Sequence, residues 1–155
     1  MAGDLPDYPQ RLLDAVTANV AQWIERAMTQ ACEGATVEIR EAVTSSLQQV
    51  RSDTLAYVRE HLSALLNTDV DAQQRNPLEV LRASTRFANA ALRAANVPRP
   101  VRDEYQQRFD PDDEYLLGPM AWMDLGESVH EAGIEWGAWK AATVLTRRRA
   151  EGKLG

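Results

Sequence analysis

The chain has 155 residues, 45% of them hydrophobic and 26% charged, with a net charge of −6. That balance is expected of one soluble globular domain, 1–155, and no apolar run approaches the ~20 residues of a membrane-crossing helix. A single cysteine, Cys32, excludes an internal disulfide, and the acidic start MAGDLPDYPQ lacks the regions of a secretory signal, so a cytoplasmic location is expected.

Asp7 and Pro9 suit the cap and first turn of a helix. Leu12, Val16, Val20, Trp23, Ala27 and Ala31 then recur at helical spacing as far as Cys32, with Leu13, Ile24 and Met28 beside them. Gly34 is the expected stop. A second apolar stripe, Val43, Leu47, Val50, Tyr57, Val58, Leu62 and Leu65, predicts a helix over 36–67. A break at Gly34 lets both stripes face one core, so residues 8–67 are expected to form a long antiparallel hairpin. Its second arm would be roughly 48 Å long, against a radius of gyration near ~15 Å for the whole domain. A homodimer through residues 8–67 is therefore a candidate.

Residues 69–75 read as a connection with a turn of helix. Asn76-Pro77 predicts the start of a third helix over 77–95, whose alanines permit close packing. Val97-Pro98-Arg99-Pro100 is a stiff linker, and a short helix is expected over 101–109, ended by Asp110-Pro111. A brief helix should follow Pro119 and stop at Gly126, then another over 127–132 ending at Gly133, then a last one over 134–149. Residues 150–155 are expected to fray. The fold class is all-α: the hairpin, the third helix, and a cap over 98–149 of short helices anchored by aromatics, with Trp23, Trp136 and Trp139 as structural anchors.

Charge is unevenly spread. Residues 1–102 carry −1, residues 103–139 carry −9 and residues 140–155 carry +4. The acidic stretch also holds six of the ten aromatic residues: Tyr105, Phe109, Tyr115, Trp122, Trp136 and Trp139. Net acidity argues against a nucleic-acid surface despite Arg147-Arg148-Arg149.

The runs Arg108-Phe109-Asp110-Pro111-Asp112-Asp113-Glu114-Tyr115 and Gly133-Ile134-Glu135-Trp136-Gly137-Ala138-Trp139-Lys140-Ala141 carry a resemblance. Together with Asn76-Pro77-Leu78 and Val97-Pro98, the chain over 68–149 resembles a group of small actinobacterial proteins of no assigned function. Trp139 stands where that pattern takes a smaller residue. The resemblance implies a single cytoplasmic domain and brings no activity, cofactor or catalytic residue.

Candidate chemistry is sparse. Asp110, Asp112 and Glu114 match positions 1, 3 and 5 of a calcium loop, but position 6 is Tyr115 and position 12 is Ala121, so a solvated loop with Asp112 or Asp113 bonded to backbone amides is favoured. Glu127 and His130 have metal-ligand spacing without the second pair a dinuclear site needs. Cys32 lies beside an apolar stripe, where an inert thiol is usual, and no phosphate loop or nucleophile elbow is present. No catalytic residue, metal or cofactor is assigned. The leading expectation is a non-enzymatic interaction or regulatory protein. Its contact candidates are Asp110, Asp112, Asp113, Glu114, Tyr115 and Trp122, and its protein partner should present a basic face. The alternative is an enzyme acting on a small molecule through carboxylates of 103–135.

Overall fold

Capping and spacing explain the first helix. The Asp7 carboxylate accepts from the Gln10 amide at 3.1 Å, Pro9 sits in the first turn, and α1 runs Tyr8–Ala31. Its buried face is Leu12, Val16, Val20, Trp23, Ile24 and Met28. A computed structural model of the protein describes residues 6–68, 75–104 and 111–152. Among them the fold is all-α, without a strand. No helix in this set is long and apolar enough to cross a membrane.

Gly34, at φ 80°, takes the left-handed conformation that ends α1, and the Thr36 hydroxyl accepts from Ile39 N at 3.3 Å to open α2, Val37–Leu66. The α1–α2 contact is the most extensive between any two helices, and Glu25 and Arg51 bridge it at 3.7 Å. Val43, Val50, Val58, Leu62 and Leu66 of α2 are buried in this core, with Thr54 among them. Of the apolar stripe that made residues 8–67 a dimer candidate, Val43, Val50, Val58 and Leu62 are thus buried within the chain, and Leu47, Tyr57 and Leu65 are half-buried.

The helix expected over 77–95 is two helices, α3 (Leu78–Ala83) and α4 (Arg86–Ala94). The Ser84 hydroxyl donates to Leu81 O at 2.6 Å and the Thr85 hydroxyl to Arg82 O at 2.7 Å. Two adjacent hydroxyls competing for helix carbonyls tighten the turn there. At the end of α4, Asn96 is left-handed at φ 61° and Val97 N donates back to Leu92 O at 3.1 Å, a Schellman stop.

The carboxy-terminal region differs more. A 3-10 turn at Trp122–Leu125 replaces the helix expected after Pro119, and the Asp124 carboxylate gathers the amides of Met120 (2.8 Å) and Ala121 (3.2 Å). The two helices expected on either side of Gly133 are one, α5, running Glu127–Ala150. Gly133 is buried, and a Cβ placed there would overlap the indole of Trp122. Gly133 is therefore glycine to seat a ring, and the helix passes through it.

α1 contacts both α2 and α5, and α2 also carries α3 and α4. α1 and α5 run in opposite directions, as Tyr8–Trp139 (ring centroids 6.4 Å), Arg11–Glu135 (3.4 Å) and Asn19–Ser128 (3.3 Å) show in turn. Trp23 and Trp136 are buried and Trp139 is half-buried. Of the turn expected at 69–75 only residue 75 is described, and of the helix expected over 101–109 only 101–104, where 101–103 are irregular chain; the rest of both, Asp110 and residues 153–155 lie outside the described residues.

Candidate functional site

The loop that follows Pro111 is wound around one carboxylate. Asp113 is only 4% exposed; its Oδ1 accepts from Asn89 Nδ2 (2.9 Å) and Leu117 N (2.9 Å), and its Oδ2 from Gly118 N (2.7 Å). Asn89 completes the clasp from α4: its amide also donates to Thr85 O at 3.0 Å, and its Oδ1 accepts from Tyr115 N at 2.9 Å. The buried Tyr115 hydroxyl donates to Val97 O at 2.8 Å. Each of these buried polar groups has a partner, as low-dielectric surroundings demand.

Glu114, one residue on, faces outward to arginines. Arg93 grips it with Nη2–Oε1 2.6 Å and Nε–Oε1 3.1 Å, and Arg99 Nε lies 3.3 Å from Oε2. The Arg93 hydrogen bond, with the charges of Arg93, Arg99 and Arg102, holds Glu114 below its ordinary value of 4.5 against partial desolvation. Arg102 also donates to Pro111 O at 3.1 Å, and Arg82 to Pro119 O at 3.1 Å. The loop is tied down at both ends.

Of the six contact candidates, then, Asp113 and Tyr115 are buried and hold the loop in shape. Glu114 is committed to Arg93 and Arg99, and Trp122 is half-buried against Gly133. Asp112 is exposed, and Asp110 lies outside the described residues.

The loop instead presents apolar side chains: Leu116 (36% exposed), Met120 (86%) and Met123 (47%). Leu116 is left-handed at φ 58°, a conformation that costs a side-chain-bearing residue about 1–2 kcal/mol. It stands on the rim of a groove of about 410 Å³ formed with α1 by Trp23, Arg26, Gln30, Pro119 and Asp124, among others. Arg26 Nη2 reaches Asp124 O at 3.4 Å across one end. Sequence reasoning missed Leu116, Met120 and the α1 side of this groove. The available signal was an apolar run, Leu116-Leu117-Gly118-Pro119-Met120, in irregular chain where polar residues are usual.

Asp124 is the carboxylate lining this groove, and its Oδ2 is bonded to two backbone amides. Among the described residues no three His, Cys, Asp or Glu side chains are grouped to hold a metal ion. No family model matches the chain, and neither a curated protein nor a solved structure does.

Proposed function

We propose that the protein is a non-enzymatic interaction or regulatory protein whose contact surface is the 111–125 loop and the groove it forms with α1. The observation that carries this is Leu116: an exposed leucine held left-handed, at an energetic cost, in a loop that Asp113, Glu114 and Tyr115 fix in place. A rigidly held apolar side chain loses little entropy on binding, and neighbouring methionines adapt to the surface they meet. Asp112 on the same loop is exposed, and supports a partner with a basic face. In this reading α1 and α2 form an antiparallel hairpin and residues 98–149 a cap that carries the contact loop. A cytoplasmic setting suits the free, buried Cys32. Kinship with the small actinobacterial proteins rests on the motifs quoted above.

Affinity capture from the native host with the parent chain and with Leu116→Gly/Met120→Ser tests the reading. A partner captured by the parent and lost with the double variant, with the melting temperature unchanged or raised, is the expected result. An identical captured set overturns it.

A further inference from the structure

The inner face of α5 is spent by its middle. Val129, Ala132, Gly133 and Trp136 are buried, while no residue from Ala141 to Ala150 is. The register with α1 explains why: Trp139 already meets Tyr8, the first residue of α1, so the rest of α5 runs on past it. That leaves about 15 Å of helix as a projecting arm.

The outer face of α5 is not random. Glu127, Glu131, Ile134, Ala138, Ala141, Leu145 and Arg148 follow one another at alternating steps of four and three, the spacing of a coiled-coil seam, and all seven are exposed. Ile134 is 57% exposed and Leu145 40%. Glu135, Ala142 and Arg149 flank the seam and are exposed as well. Apolar side chains thus line both faces of this helix, and among the described residues only one face is packed against the rest of the fold.

The order of charge along the seam selects the occupant. Acid lies at the amino-terminal end, small and apolar residues in the middle, and base at the carboxy-terminal end. A uniformly basic or uniformly acidic partner helix would be repelled along half of it. The sequence that complements it throughout is its own reverse.

We infer that the chain forms a two-fold dimer through antiparallel pairing of α5 with the α5 of a second copy. Setting Glu131 of one copy against Arg148 of the other places Ile134 opposite Leu145 and Ala138 opposite Ala141, and the two-fold axis repeats each contact. The alanines at the centre let the helices approach closely, at the short end of the usual 8–10 Å interaxial range. Glu127 then lies within reach of Arg149 of the second copy. Among the described residues, Glu127, Glu131, Arg148 and Arg149 have no ion-pair partner within the chain, so each is free for this role. The seam is separate from the 111–125 loop and does not depend on its function.

Sedimentation of the full chain from low to high micromolar concentration tests the inference. The parent is expected to pass from monomer to dimer. Leu145→Glu abolishes this, and Glu131→Arg or Arg148→Glu, each setting like charges together, weakens it on the order of tenfold or more. The double variant Glu131→Arg/Arg148→Glu restores the parent's association, because the pairing is reversed and intact. These positions are exposed, and a thermal melt matching the parent's at a concentration where the parent is monomeric shows that each variant is folded. A parent that stays monomeric overturns the inference. So does a dimer indifferent to the single charge reversals, or a double variant that fails to recover.

Discussion

The side-chain amide of Asn89 donates to the carboxylate of Asp113 at 2.9 Å, joining α4 to a loop 24 residues away with both groups buried. The same carboxylate holds the amides of Leu117 and Gly118. Removing it leaves three donors without this acceptor, two of them in buried bonds. Asp113→Ala is therefore expected to cost about 3–5 kcal/mol, read by chemical denaturation. Asp113→Asn should fall between it and the parent, because one amide group then faces a backbone donor. A loss under 1 kcal/mol for the alanine variant would show that the loop is held by other contacts.

Gly133 and Trp122 make a second prediction. A methyl at 133 must displace the indole that packs there, so Gly133→Ala should destabilise by about 1–3 kcal/mol even though alanine favours a helix interior. Trp122→Leu leaves room for that methyl. In the double variant the cost of Gly133→Ala should shrink or change sign, and the coupling is read from a four-variant denaturation cycle. Additive effects would place the ring elsewhere.

The same pair shows where the sequence was legible. Local periodicity and caps place α1 and α2 within a residue or so, because Asp7, Gly34 and Thr36 act on the chain next to them. Gly133 looks like a breaker by the same rules. What makes it glycine is a tryptophan eleven residues earlier, a tertiary cause that spacing within a helix does not carry. Ser84 and Thr85 err the other way: apolar spacing runs through them, and their hydroxyls break the helix. At the candidate site, the density of acid over 103–139 was plain, but its use was not. Asp113 is buried, Glu114 is paired with Arg93 and Arg99 from outside the segment, and Glu135 with Arg11. Composition counts charges; it does not show which are already answered.

Glu114 gives a pH dependence. Its folded value is held below the ordinary 4.5, chiefly by the Arg93 hydrogen bond. A lowered carboxylate contributes stability that is present above its unfolded value and lost as pH falls through the folded one. The parent should thus be more stable than Glu114→Gln at neutral pH, and the difference should close as the pH is lowered through and below 4.5. Paired thermal melts across that range check it. A difference that stays constant into strong acid would mean that the glutamate acts by packing and not by charge.

Trp136 separates the value of a ring from the value of its polar atom. The side chain is 7% exposed in the core between α1 and α5, so Trp136→Ala should cost about 3–5 kcal/mol. Its indole nitrogen is buried and has no hydrogen-bond partner among the described residues, although the ammonium of Lys140 stands 5.2 Å from the ring centroid. A buried N–H without an acceptor opposes folding. Trp136→Phe removes that penalty, keeps most of the apolar surface and leaves an aromatic face for Lys140, worth about 0.5–1 kcal/mol where exposed. The phenylalanine variant should therefore lie within about 1 kcal/mol of the parent, the small cavity and the relieved donor largely offsetting each other. Denaturant titrations of the parent and the two variants decide the matter. If phenylalanine costs nearly as much as alanine, the indole N–H has a bonded partner and the position is held by polarity; if alanine is tolerated, the ring is not core.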